Sequence, residues 1–370
     1  MLFAHTKPLT STRRNQMTHS TDQTTALPIL DLRLLEAADT KAAFMQNLQD
    51  LARNTGFFYL IGHGISAARI QEIENLSRQF FAQDQASKDA LSMTNSPHFR
   101  GYSRVNEEHT RNQPDFREQI DIGADLEAVE FDANTPLWLK LQGPNQWPEN
   151  WPEFKTIVTA WQTDLRRIAI TLLRSFTLAL GLPEDALDQF VTGKPNELLK
   201  LIHYPSADLN AGKNQGVGAH KDAGILTLLL QDQVGGLQVL SKQDGWIEAP
   251  YVEGAFIVNI GEILELATNG YLVANMHQVV SPKANVDRYS IAYFITPNLY
   301  AGEVPILELP AALQQLATGP QSDPLNPLLK NAGENTIKGR LRSHLKVTEK
   351  FYPEEYQRIL KQRQQQEVTA

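Results

Sequence analysis

Between Phe154 and Leu180, apolar residues recur at steps of three and four: Ile157, Trp161, Leu165, Ile168, Leu172, Phe176 and Leu180. That spacing predicts one long amphipathic helix with a single buried stripe, stopped by Gly181-Leu182-Pro183. The preceding chain alternates shorter signals. Leu27-Pro28-Ile29-Leu30-Asp31-Leu32 reads as a strand, and a helical spacing follows through Leu51. Gly56 to Gly62 is a β-rich run bracketed by glycines, and Gln71 to about Ala90 reads as helix. Thr94 to Pro152 is rich in Asn, Pro and Gly and predicts loops, with Arg117–Ile122 as a possible strand.

After Glu197 the texture changes. Short β-patterned runs continue to Pro297, with turn signals at Pro205, Gly212, Gly235-Gly236, Asp244-Gly245 and Gly254. Most of them leave no room for helices in between, which predicts an antiparallel barrel or double-sheet jelly roll. A charged, Gln-rich helix over 350–366 ends the chain. The predicted fold class is α+β with a mainly β core. A disordered tail over 1–26, in which Met17 is an alternative start, precedes one structural domain spanning 27–370. Within it, a mixed helical region covers 27–196, the β core 197–300 and a C-terminal extension 301–370.

Composition narrows the chemistry. The 370 residues include 34 Lys and Arg against 42 Asp and Glu, a net charge of −8. This gives no basic footprint for a nucleic-acid backbone. No run of about 18 apolar residues suggests a membrane span. Cysteine is absent, so disulfides, thiolate nucleophiles and Cys-based metal sites are excluded. Any metal must be held by carboxylates and the nine His.

Two of those His have suitable company. In His220-Lys221-Asp222, just before the β run Ile225–Leu230, residues i and i+2 share a face of an extended chain. His277 lies 57 residues further on, beside Val279-Val280. Two imidazoles and one carboxylate on one face of an octahedral ion leave three positions open, the arrangement expected for non-haem Fe(II). Arg288-Tyr289-Ser290 follows in a strand whose alternation puts Arg288, Ser290, Ala292 and Phe294 on one face. An inward guanidinium needs an anion, either an internal carboxylate or an incoming one. Beside the triad, an incoming dicarboxylate gripped by Arg288 and Ser290 is the better explanation.

These residues, with others along the chain, resemble the isopenicillin N synthase-like branch of the Fe(II)/2-oxoglutarate-dependent oxygenases. Leu27–Leu32 is similar to the opening strand of that family, and Gly56-Phe57-Phe58 through Gly62-His63-Gly64-Ile65 to its Gly-Phe-Phe…Asn-His-Gly-Ile segment, with Gly62 in the Asn place. Arg100-Gly101-Tyr102, Arg117–Gly123 and Gly143–Pro148 resemble stretches of its microbial members. The resemblance implies a double-stranded β-helix (jelly roll) flanked by helices, with Fe(II) on His220, Asp222 and His277. It implies 2-oxoglutarate held by Arg288, Ser290 and Tyr204, the last from His203-Tyr204-Pro205. By alternation Tyr204, Ile202 and Lys200 share a face, and Phe294, six after the Arg, falls where relatives often meet substrate. Arg104 and Tyr102 match positions that line the pocket mouth in relatives, and Lys200 is a further substrate contact from the sheet. His63 is structural in the family, and His203, on the opposite face from Tyr204, is expected to pack.

The implied reaction is oxidation of a small organic molecule, with hydroxylation as the default outcome, by Fe(II), O2 and 2-oxoglutarate, which leaves as succinate and CO2. The chemistry is centred on iron, and no separate acid or base is assigned. Asp222 argues against the halogenases of the wider superfamily, which lack that carboxylate. Two alternatives stay open: an isopenicillin N synthase-type oxidase working without 2-oxoglutarate, and a non-catalytic binding protein on the same jelly roll. A cytoplasmic monomer or weak homodimer is expected, with no nucleic-acid or membrane partner. The substrate's identity is not legible.

Overall fold

The computed structural model describes residues 27–206, 215–242, 244–323 and 326–369. The predicted N-terminal tail, 1–26, lies outside them. In chain order the strands are β1 (Ile29–Asp31), β2 (Phe57–Ile61), β3 (Gly101–Ser103), β4 (His109–Thr110), β5 (Gln113–Pro114), β6 (Glu118–Gly123) and β7 (Asn196–Tyr204). There follow β8 (Gln215–His220), β9 (Leu226–Gln231), β10 (Leu237–Ser241), β11 (Gly245–Glu248), β12 (Phe256–Ile260), β13 (His277–Val280) and β14 (Arg288–Thr296). The helices are α1 (Ala38–Asn54), α2 (Ala67–Phe81), α3 (Gln85–Asp89), α4 (Pro152–Ala179) and α5 (Asp188–Val191). After these come α6 (Glu262–Ala267), α7 (Ala311–Gln314), α8 (Ala332–Ser343), α9 (Leu345–Phe351) and α10 (Pro353–Thr369).

Two sheets carry the fold. The major sheet runs β1-β2-β12-β9-β14-β7-β6-β3 and the minor sheet β11-β10-β13-β8. The major sheet has two different faces because each strand alternates. Phe58, Leu60, Leu199, Leu201, Leu226, Leu228, Leu230, Ile291, Tyr293 and Ile295 join the large core built on α1, α2 and α4. Their neighbours Phe57, Tyr59, Ile202, Tyr204, Leu229, Ile257, Ala292 and Phe294 face the minor sheet, in a second core with Val217, Val239 and Val279. The space between the sheets is where ligands of a jelly roll have room.

The long helix forms as its spacing predicts. Pro152 begins it, in a position where a missing N–H costs nothing, and Trp161, Leu165, Ile168, Leu172 and Phe176 are buried. The predicted helix from Gln71 to Ala90 is instead two. The first ends at Phe81, and Asp84 caps the second by accepting from the Ser87 N–H. The C-terminal helix begins at Pro353, close to its expected start. The β region extends beyond its expected limits: β1, β2, β3 and β6 come from the N-terminal part and pair into the same sheet as β7, β9, β12 and β14. β1, β2 and β6 fall in runs expected as strands; the three-residue β3, at the sheet edge, lies in a segment expected as loop, and its pairing with β6 decides it.

Candidate active site

His220 and His277 are direct partners across the β8–β13 ladder, which is how residues distant in sequence come to have ring centroids 4.2 Å apart. Asp222 follows the end of β8. Its Oδ1 lies 3.5 Å from His220 Nε2 and 3.7 Å from His277 Nε2. One ligand atom from each residue falls within 4.8 Å of the other two.

The surroundings aim these atoms. Asp222 Oδ2 accepts from Thr227 Oγ1 and, at 2.7 Å, from Asn259 Nδ2, which leaves Oδ1 turned to the imidazoles. His220 Nδ1 lies 2.8 Å from the Gly218 carbonyl and His277 Nδ1 3.3 Å from that of Asn275, so each Nδ1 carries the proton and each Nε2 offers its lone pair. Burial, with His220 adjacent, pushes His277 down to about 4, which keeps it neutral. Although burial opposes its charge, the two His and Asn259 hold Asp222 well below the usual carboxylate range. Burial works against it, yet Asp222 lifts His220 above its ordinary value, so a metal there would take the place of a proton. With His277 neutral, Asp222 ionised and no Lys or Arg within 4.0 Å of Asp222 among the described residues, the three donors fit a divalent transition metal.

Arg288 begins β14, 1 % exposed. Its Nε donates to the Gly235 carbonyl, presented by the Gly235-Gly236 turn, in which both residues have positive φ (76° and 90°). Nη1 is 3.4 Å from Ser290 Oγ and Nη2 3.4 Å from Gln231 Oε1. The guanidinium carbon sits 4.6 Å from the ring centre of Tyr204, its cross-strand partner. Among the described residues no carboxylate lies within 4.0 Å of Arg288, so the internal ion pair left open by the sequence is not there.

A cavity of about 330 Å³ opens beside the triad. Phe294 and Lys200 line it together with His220 and Asp222. Lys200 is not free, however: its Nζ donates to both Glu108 oxygens at 2.8 and 3.0 Å. The two loop residues expected at the mouth are elsewhere, which corrects the sequence reading. Tyr102 is 1 % exposed in the helix-side core, opposite Ile120, and its hydroxyl donates to Glu118. Strand alternation turns it away from the cavity. Arg104 points to solvent, with Nε donating to Asp89 at 2.8 Å, and does not line the cavity. His63 and His203 pack as expected: His63 Nε2 meets the Gly254 carbonyl at 2.8 Å, and His203 stacks on Tyr289 and pairs with Glu118 at 2.7 Å.

Several residues in and around the site escaped the sequence reading. Buried Glu108, Arg117 and Lys200 and, through Asp121, the partly buried Arg340 form an ionic wall, while Thr227, Gln231 and Asn259 orient the site. Asn259, a lone amide in Phe256-Ile257-Val258-Asn259-Ile260, was detectable as a polar break in an apolar strand. Glu108 and Arg340 lie in segments with no such contrast.

Fold and site together define a non-haem iron oxygenase. The pattern of the 2OG-Fe(II) oxygenase superfamily matches residues 195–297, and that described as non-haem dioxygenase in morphine synthesis N-terminal matches 27–150. The chain belongs to the Fe(II)/2-oxoglutarate-dependent oxygenases, and is an oxidoreductase using Fe(II), 2-oxoglutarate and O2. It is 33% identical over 357 residues to the 2-oxoglutarate-dependent dioxygenase frbJ of Dothideomycetidae sp., covering 92% of this chain and 96% of that one. A homoarginine-6-hydroxylase of Glycine max is 34% identical over 296 residues, 76% of this chain and 88% of the relative. Among solved structures, a full-length Neurospora crassa protein in complex with alpha-KG superposes with a TM-score of 0.70 at 26% identity, covering 86% of this chain and 96% of the Neurospora chain. The alternative readings, an oxidase without 2-oxoglutarate and a non-catalytic binder, gain no support from these likenesses. No helix among the described residues is long and apolar enough to cross a membrane.

Proposed function

We propose that His220, Asp222 and His277 hold the iron, that Arg288 and Ser290 over the Tyr204 ring grip the far carboxylate of 2-oxoglutarate, and that the protein hydroxylates a small organic substrate bound beside Phe294 and Lys200. The observation that carries this reading is the pairing of a convergent His-Asp-His cluster with a buried guanidinium that has no carboxylate within 4.0 Å among the described residues. Bound there, Fe(II) with 2-oxoglutarate and O2 supplies the oxidising power that breaks a substrate C–H bond, while succinate and CO2 are released.

The chain's own residues set the geometry. The triad occupies one face and leaves the rest of the metal's coordination sphere open. Arg288 and Ser290 offer donors spaced for one carboxylate, and the Tyr204 ring packs against the guanidinium. Phe294, Leu198 and Val217 give the cavity an apolar side that excludes water. Residues 27–370 act as one unit in this reading, because strands from both family-matched stretches share the major sheet. We assign the chain to the isopenicillin N synthase-like branch on the motifs quoted above. A cytoplasmic monomer or weak homodimer accords with a supply of 2-oxoglutarate and reduced iron, and is checked by fractionation and sedimentation.

The deciding experiment follows labelled CO2 from 2-oxoglutarate on the Fe(II)-loaded protein, with succinate measured in parallel. Turnover is expected to require 2-oxoglutarate and to fall away in Asp222→Ala. Failure of the intact protein to bind 2-oxoglutarate at millimolar concentration overturns the assignment of Arg288.

A further inference from the structure

Helix α8 lies outside both family-matched stretches, yet Asn335, Thr336, Arg340 and Ser343 from it form one wall of the cavity. Arg340 is tethered at a single point, with Nη1 donating to Asp121 Oδ2 at 2.7 Å. No other hydrogen bond to its guanidinium forms among the described residues, and its remaining donors border the cavity.

The charges around it do not balance. Three buried cations (Arg100, Arg117 and Lys200) and the partly buried Arg340 meet three buried carboxylates (Glu108, Asp115 and Asp121). Arg117 lies 2.7 Å from Glu108 and 3.3 Å from Asp115, while Lys200 lies 2.8 Å from Glu108 and 3.7 Å from Asp121. Arg100 has no carboxylate within 4.0 Å. It spends its Nη groups on the carbonyls of His98, Phe99 and Leu141, and its buried Nε has no partner. His344, pushed down to about 4 by burial, adds no charge of its own. The cofactor side cannot answer the surplus. A divalent ion with Asp222, and a doubly charged 2-oxoglutarate with Arg288, already sum to neutrality. A buried charge left without a counterion is costly, so the remaining occupant of the cavity has to bring one.

Building on the proposed iron and 2-oxoglutarate sites, we infer that the substrate is a small organic acid whose carboxylate docks on Arg340, with the bond to be oxidised turned towards the triad. A cationic group finds no vacancy at Glu108, because Lys200 and Arg117 already occupy both of its oxygens. Homoarginine, the substrate named for the plant relatives, brings two cationic groups beside its carboxylate and so adds to the positive charge instead of offsetting it.

The test uses protein loaded with redox-silent Mn(II) and 2-oxoglutarate, and reads ligand binding by thermal shift and calorimetry. The probes are acetate, hexanoate, benzoate and phenylacetate, each beside its primary amide, together with homoarginine. At least one acid is expected to bind, with its amide and homoarginine binding far more weakly. Arg340→Gln weakens that acid about 10- to 100-fold, the range for losing a charged hydrogen bond, and Arg340→Lys restores part of it. Circular dichroism establishes that both variants fold. No binding by any acid, equal binding of acids and amides, or unchanged affinity in Arg340→Gln overturns the inference. The shift produced by 2-oxoglutarate alone is recorded first, so loss of the underlying reading is seen separately.

Discussion

The two faces of the major sheet are built from the same strands and serve opposite ends. On the helix side, Leu226, Leu228 and Leu230 of β9 pack with Ile291, Tyr293 and Ile295 of β14 in a nearly all-apolar layer. On the side facing the minor sheet, Thr227, Gln231, Arg288 and Ser290 stand among Leu229, Ala292 and Phe294, with Asn259 and Lys200 on neighbouring strands. One face holds the sheet rigid by apolar burial. The other can then keep buried polar groups in fixed directions, each bonded to a neighbour or waiting for a ligand. Site precision is borrowed from the opposite side of the same backbone.

Perturbing each face separately breaks that division. The largest effect is expected from Asp222→Ala, which removes a metal ligand and should abolish iron binding and turnover; an iron titration and the CO2 assay check it. Arg288→Ala should leave iron in place and weaken 2-oxoglutarate by about 2–5 kcal/mol, the cost of truncating one partner of a buried charged contact. On the other face, Leu228→Ala should cost a similar ~2–5 kcal/mol in stability by denaturant unfolding, while iron affinity of the folded protein stays near that of the wild type. If affinity falls in step with stability, the two faces are not independent. A smaller loss is expected from Asn259→Ala, which removes one of the two hydrogen bonds to Asp222 Oδ2 and should weaken iron about 10- to 100-fold without unfolding.

The gentlest perturbation is pH. Burial takes His277 and His344 from 6.5 down to about 4, so the unfolded chain takes up their protons first. The part of the metal-free protein's stability that depends on these two His is complete above about 6.5 and declines as pH falls towards 4. Iron held by His277 competes with its proton, so metal release should track the same window; thermal unfolding with and without metal checks both.

Much of this arrangement could be read locally. The period of Ile157 to Leu180 gave the long helix, and the alternation from Arg288 put Arg288, Ser290 and Phe294 on one face, as found. His220-x-Asp222 needed only the geometry of an extended chain. Tyr102 and Arg104 were misplaced because their segment has no period to orient it. Which side of β3 faces the cavity depends on its pairing with β6. Glu108, Arg117 and Arg340 were overlooked for a related reason: they are far apart in sequence, and charged residues in loops and helix ends look solvated until something covers them.

The donor types were settled along the linear chain. A protein without cysteine, with one His-x-Asp before an apolar strand and an Arg-x-Ser in another, limits the metal to nitrogen and oxygen ligands and provides for an anion. What those donors meet was left to the folded arrangement. Cross-strand register set His277 against His220 and Arg288 against Tyr204, because register follows from pairing across the whole sheet rather than from any one strand. Packing of α8 over the cavity brought Arg340 into a charge balance that no local window contains, since Coulomb energies depend on distance in space and on exclusion of water.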